Sequence, residues 1–266
     1  MTALFSGFCL PLEGGRLLMR ERRLWGLTVV PIVISLAAFL TAIASIVGFS
    51  EEIYSGATGW MPALEAGRWY AWLWIGPARL LLGLLGAALF LAIAGVGLVA
   101  AFLVASLLAS PFHDALSLRV ERIVTGCVVD AQATGALDTL RDAARALREE
   151  ARRTLFFLGV TGTLAGLGFV IPGAQILAGP AILVFTIFFL PLDYAGFALD
   201  RRRLSFKARR RWLLAHRDAA LGFGGAAFLA CLVPGINLLA MPILVAGGTL
   251  LALRYPPEPE GAAAAR

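Results

Sequence analysis

Arg22 and Arg23 stand side by side, immediately before a run of 27 residues that carries no charge. Adjacent guanidinium groups present forked donors that suit an oxyanion. A second candidate is repeated. PGAQILAGP at 172–180 and PGINLLAMP at 234–242 share the pattern P-G-x-(Gln/Asn)-x-L-A-x-P with identical spacing. Proline interrupts a helix and glycine permits the chain to reverse, so a new helix is expected to begin near Gln175 and near Asn237. A helix N-terminus offers free N–H groups and the positive end of its dipole, which makes Gly173, Gln175, Gly235 and Asn237 candidate anion ligands. Each feature also has a plainer reading: the arginines anchor topology and the amides cap their own turns. The chemistry common to all of them is binding, not bond-making. GxSxG, HExxH and P-loop patterns are absent, and His113 and His216 fall in unrelated contexts. Cys9, Cys127 and Cys231 form no CxxC pair and read as free thiols. We therefore expect neither an enzyme nor a cofactor or metal site.

The elements that must position these residues are set by hydropathy. The 266 residues are 59% hydrophobic and 15% charged, with mean hydropathy +0.83. Runs 24–50, 80–112, 154–192 and 219–253 contain no Asp, Glu, Lys or Arg. Each exceeds the roughly 20 apolar residues that span a bilayer as a helix, so the chain is an integral membrane protein. The net charge of +6 is nearly all arginine, since Lys207 is the one lysine. Positive residues collect in cytoplasmic loops, and topology explains this charge better than a nucleic-acid partner does.

Arg16, Arg20, Arg22 and Arg23 place the N-terminus inside. Run 24–50 then crosses the bilayer, and the following connection, rich in Glu, Trp and Tyr, suits the outer interface. Residues 80–110 return the chain as a helix of about 46 Å, long enough to tilt or to project beyond the lipid. An amphipathic cytoplasmic helix is expected over 137–153, with Leu137, Leu140, Ala144, Leu147 and Ala151 on one face. Run 154–192 has arginines at both ends, so both ends are inside. Its Pro172-Gly173 pair divides it into arms of 18 and 19 residues, a helical hairpin. Run 219–253 repeats the design around Pro234-Gly235, with a first arm of 15 residues, about 22 Å and short for a full crossing. Full spanning and re-entrant insertion both stay open. Repeated, interrupted helices are a recurrent way to build transport sites.

The segment SPFHDALSLRVERIVTG at 110–126 resembles the P-F-N-D-x-L-A-E-x-V-E signature of the CysZ sulfate permease family, part of the etoposide-induced protein superfamily. The likeness continues through IPGAQ, through LPLDYAGFALDRRRLSFKARRRWLLAHR at 190–217 and through VPGINLLAMPILVAGGTLLAL. The matching residues are Pro111, Phe112, His113, Asp114 and Glu121, followed by Asp193, Tyr194, Asp200, Phe206 and Arg210. His113 replaces the usual Asn, and Leu118 stands where Glu is frequent. A double arginine near the first helix, implicated in sulfate binding in that family, corresponds to Arg22-Arg23.

The resemblance implies an all-α membrane fold: two long transmembrane helices, two Pro-Gly-broken hairpins and the cytoplasmic amphipathic helix. Residues 1–255 would form one membrane domain and 256–266 a disordered tail. It implies an inner-membrane protein with a tendency to form homo-oligomers and uptake of sulfate or a similar oxyanion for cysteine synthesis. The arginine distribution adds that both termini are cytoplasmic, and the absence of a nucleotide-binding motif adds conduction without ATP hydrolysis. The competing expectation is a non-transporting scaffold or regulator whose basic cytoplasmic face binds anionic membrane lipid or a protein partner.

Overall fold

The computed structural model describes residues 2–61, 72–126, 136–232 and 236–257. The expected tail falls, but for residues 256 and 257, outside them, as do Cys127 and Gly235. Among the described residues the regular structure is entirely helical: α1 (Thr2–Arg20), α2 (Trp25–Gly48), α3 (Ser50–Thr58), α4 (Trp72–Thr125), α5 (Ala136–Val170), α6 (Gln175–Phe189), α7 (Pro191–Tyr194), α8 (Gly196–Arg201), α9 (Phe206–Ala215), α10 (Arg217–Cys231) and α11 (Ile236–Arg254). Four helices there are long and apolar enough to cross a membrane, over Arg22–Gly48, Ile75–Thr125, Leu147–Val170 and Gln175–Tyr194.

Packing divides the chain into two compact units. One comprises residues 30–110, most of α2, all of α3 and the greater part of α4. Inside it α2 meets α4 where Ile46 lies against Gly97, and α3 meets α4 where Thr58 and Tyr54 close over Gly86. Glu51 and Glu52 occupy the first turn of α3, where carboxylates favour the helix dipole. The side chains of α4 from Leu80 to Leu108 are largely exposed apolar groups, a surface that belongs in lipid rather than water.

Residues 1–29 and 111–266 form the other unit, which contains every candidate site. Its core is a layer in which α1 packs on α10 and α11, with α7 and α8 against α11. Leu10, Leu24, Leu116, Leu199, Leu213, Phe223, Leu244 and Leu251 are buried there. Small residues allow this closeness. A Cβ on Gly7 would collide with the backbone of Ala219, one on Gly222 with Leu4, and one on Gly14 with Gly247. Membrane helices associate through such backbone approach, since burial of apolar surface gains little within lipid.

Two elements differ from the sequence expectation. α1 is a helix of 19 residues in a stretch to which the charge-free runs assign no element. Also, the amphipathic segment is not a helix of its own: α5 runs without a break through 35 residues, from the charged stretch into the apolar arm. Neither proline nor glycine stands between Ala136 and Phe157, so nothing interrupts the hydrogen-bond ladder.

Candidate functional site

The paired arginines lie on a single 3₁₀ turn, Arg22–Leu24, between α1 and α2. Buried Leu24 pins that turn from inside. Trp25 donates its indole N–H to the Leu18 carbonyl at 3.1 Å, and Thr28 donates to the Leu24 carbonyl at 3.0 Å. These bonds splice α1 to α2 across the turn and leave Arg22 and Arg23 exposed. A third cation joins them. Arg119, on α4, donates from Nη1 to the Arg23 carbonyl at 3.2 Å. None of the three guanidinium groups has an ion-pair partner among the described residues. Like charges held together without a counterion favour a bound anion.

The first Pro-Gly turn is a real reversal. Gly173 has φ +86°, in the left-handed region that glycine adopts at little cost. The N-terminus of α6 is less open than the sequence suggested. The amides of Ala174, Ile176 and Leu177 already donate to Ile171, Gly173 and Ala174 carbonyls at 3.0–3.2 Å. Gln175 opens α6 with an exposed side chain that caps nothing. Around the turn, Phe169, Val170, Ile176 and Leu177 are exposed apolar groups, a surface suited to lipid rather than water. No hydrogen bond or ion pair among the described residues links Gly173 or Gln175 to the arginine turn. For the second turn, Asn237 lies by its backbone in the first turn of α11, while Gly235 is outside the described residues.

The remaining motif residues build something different. Glu121, 3% exposed, is held by Arg201 Nη2 at 2.9 Å and by Arg202 Nη2 at 3.3 Å. Arg201 also pairs with Asp114 at 2.8 Å and donates to Ser117 Oγ at 2.9 Å. Thr249 donates to the Val245 carbonyl at 2.9 Å, so Ser117 must donate to Thr249 across their 2.8 Å contact. The end of α4, α8 and α11 are thereby laced together. Beside them Asp200 pairs with buried Arg209, which also donates to the Leu204 carbonyl at 3.1 Å. Asp193 pairs with Arg153 at 2.6 Å, and the Tyr194 hydroxyl meets Cys231 Sγ at 3.2 Å. His113 is buried edge-on to Phe197, with ring centroids 6.1 Å apart. Pro111 and Phe112 lie inside continuous α4.

Charge separates the two groups. In the buried network Arg201 and Arg202 are balanced by Glu121 and Asp114, leaving no surplus for an anion. At the α1–α2 turn Arg22, Arg23 and Arg119 have no such balance. The network therefore orders the fold, and the turn is the place that can take an anion. Arg119 was not among the sequence candidates. Its signal was its place in the SLRVE motif segment, but nothing in the sequence says that this segment reaches Arg23, 96 positions away. Among the described residues no group of three or more His, Cys, Asp or Glu could hold a metal.

An all-helical, multi-pass membrane protein with an uncompensated arginine turn is the class that these features define. The family described as sulfate transporter CysZ/etoposide-induced protein 2.4 matches residues 10–242, and the chain belongs to it. The family is one of transporters, not of enzymes. The chain is similar to proteins named sulfate transporter CysZ from Pseudomonas aeruginosa, 34% identical over 57% of this chain and 61% of that one, and from Pseudomonas fluorescens Pf-5, 34% identical over 57% and 60%. One from Pectobacterium atrosepticum is 30% identical over 60% of this chain and 59% of its own. The similarity thus spans about three fifths of the length of these relatives.

Proposed function

We propose that the protein is an oxyanion permease with sulfate as its substrate, conducting across the inner membrane for cysteine synthesis without hydrolysing ATP. The observation that carries this is the cluster of Arg22, Arg23 and Arg119, exposed and without ion-pair partners among the described residues. Sulfate is doubly charged and costly to strip of water, so it needs such donors before it leaves solvent. The relatives named as sulfate transporters support the choice of anion. The arginine distribution supports cytoplasmic termini, with residues 111–153 and 193–218 on the same side. The arms Leu147–Val170 and Gln175–Tyr194, of 24 and 20 residues, would measure about 36 and 30 Å, enough for a hydrocarbon core of about 30 Å, which favours full spanning by that hairpin.

The test is uptake of labelled sulfate by proteoliposomes, with calorimetric binding beside it. The variant replaces Arg22 and Arg23 by Gln; Arg119→Gln is measured separately. A charge-assisted hydrogen bond contributes about 1.5–3 kcal/mol, so the double variant should bind sulfate at least about tenfold more weakly while keeping its thermal stability. Arg211→Gln, exposed and outside the cluster, should bind as the wild type does. Equal affinity of double variant and wild type removes the turn from the site. Absence of any sulfate flux in the wild type turns the reading toward the scaffold.

A further inference from the structure

On one face of α5 lies a groove of about 430 Å³ lined by Phe156, Gly159, Val160, Thr163 and Leu164. Its walls are apolar by construction. Gly159 leaves a gap that no neighbouring atom enters within 4 Å. Thr163 spends its hydroxyl on the Gly159 carbonyl at 2.7 Å, which leaves its methyl group for the groove. From Phe156 to Leu164 the rise along the helix is about 12 Å, close to the depth of one leaflet of a hydrocarbon core about 30 Å thick.

The upper end is cationic. Arg210, on α9, sits over the Phe156 ring with its guanidinium carbon 5.4 Å from the centroid. Phe156 is itself fixed by Phe206 at 5.5 Å and Phe189 at 6.1 Å, so the cation rests on a rigid aromatic rim. Arg210 is exposed and has no carboxylate partner among the described residues. Arg152, one helical turn before Phe156, shares that face. Its charge is partly met by Glu149 at 2.9 Å, so Arg210 is the uncompensated head of the groove. An apolar slot beneath an exposed guanidinium matches an anionic amphiphile in charge and in polarity.

We infer that this groove is a binding site for an anionic phospholipid, its phosphate on Arg210 and an acyl chain lying along α5 over Gly159 and Thr163. The site is separate from the arginine turn and does not depend on which anion the protein conducts. Lipid held here would fix the α5–α6 hairpin against α9, because the head and the tail engage different elements.

The experiment is native mass spectrometry of the full chain released from mixed micelles, titrated with phosphatidylglycerol and, separately, phosphatidylcholine of the same chains. One phosphatidylglycerol should bind at least about tenfold more tightly than phosphatidylcholine. Arg210→Gln should erase that preference, while Arg211→Gln keeps it. Gly159→Leu fills the slot without a backbone clash and should weaken both lipids. Gly179→Leu adds the same bulk on α6, also without a clash, and should weaken neither. Equal binding of the two lipids that Arg210→Gln leaves unchanged would mean boundary lipid only and would overturn the inference. So would competition by glycerol phosphate as effective as by the whole lipid, which would mean a soluble anion site. A lipid-free dimer dispersed by Gly159→Leu would assign the groove to a second copy and would overturn it equally.

Discussion

The α5–α6 and α10–α11 hairpins carry the same nine-residue pattern and live in opposite surroundings. The most apolar windows of α5 and α6 are 6% and 17% buried within the protein. In α11, by contrast, Leu244, Val245, Ala246, Thr249, Leu251 and Ala252 are all at or below 1% exposure. In both, the second proline of the pattern lies inside the helix that follows the turn, as Pro180 and Pro242. In both copies a helix starts within the pattern, so the pattern encodes a helix start, not an environment. What separates the hairpins is the use of glycine. Gly159, Gly162, Gly166 and Gly179 would accept a Cβ into open space, whereas Gly222, Gly224, Gly247 and Gly248 press against the backbones of Leu4, Ile187, Pro11 and Tyr194. One hairpin leaves most of its apolar surface exposed, the other seats it against protein.

The largest effect should come from breaking the ion network beside the buried hairpin. Glu121→Gln keeps the shape of the side chain but leaves Arg201 and Arg202 facing each other without their shared carboxylate. Removing one partner of a buried pair costs about 3–5 kcal/mol. Thermal unfolding in detergent should show a large loss for Glu121→Gln. On the exposed hairpin, Arg152→Gln breaks a pair whose arginine side chain is 60% exposed, and surface pairs contribute about 1 kcal/mol or less. Similar losses for the two variants would show that burial does not distinguish these regions.

Next comes the packing itself. Gly222→Ala places a methyl group against the Leu4 carbonyl and the Phe8 amide. Those are backbone atoms of α1 and cannot rotate aside, so α1 must shift. Overpacking of this kind costs about 1–3 kcal/mol. Limited proteolysis, read together with the melting temperature, should report loosening at the N-terminus. Gly162→Ala, with nothing within 4 Å of its Cβ, should be neutral or slightly stabilising, because alanine is the better helix former by up to about 1 kcal/mol. A stable Gly222→Ala would mean that α1 is not seated on α10 as described.

Much of this organisation was legible in the sequence, and the rest failed for identifiable reasons. The charge-free runs gave α2, the apolar length of α4 and both hairpins, because lipid permits only apolar helix over that length. They could not give α1. Glu13, Arg16 and Arg20 interrupt its apolar surface, and its partners Gly222 and Gly247 lie more than 200 positions away. Arg209 reads as one more member of the run KARRR, yet it is 4% exposed and paired with Asp200. Direction along a short helix decides that, and α9 turns Arg209 inward while Arg210 and Arg211 stay out. The motif residues Asp114 and Glu121 were visible as a family signature, but their partners, Arg201 and Arg202, are some 80 positions further on. Spacing alone gave no means of pairing them.

The smallest effect tests the one glycine that makes the exposed hairpin turn. Gly173 alone in α5–α6 has positive φ, at +86°, and no atom lies within 4 Å of where its Cβ would stand. Any cost of Gly173→Ala is therefore conformational and not steric against neighbours. A left-handed backbone costs an L-residue about 1–2 kcal/mol. The turn is also held by the Ile171 carbonyl, which accepts the Ala174 amide at 3.0 Å, so it cannot relax to another conformation without losing that bond. Gly179→Ala, six residues along in α6, has the same open space but a helical backbone. Gly173→Ala should lower the unfolding free energy by about 1–2 kcal/mol, while Gly179→Ala leaves it unchanged or raises it slightly. Equal stability of the two variants would show that the reversal does not depend on the left-handed residue. The α5–α6 reversal would then depend on Pro172, which has no N–H to continue the ladder of α5, and Pro172→Ala should become the damaging change.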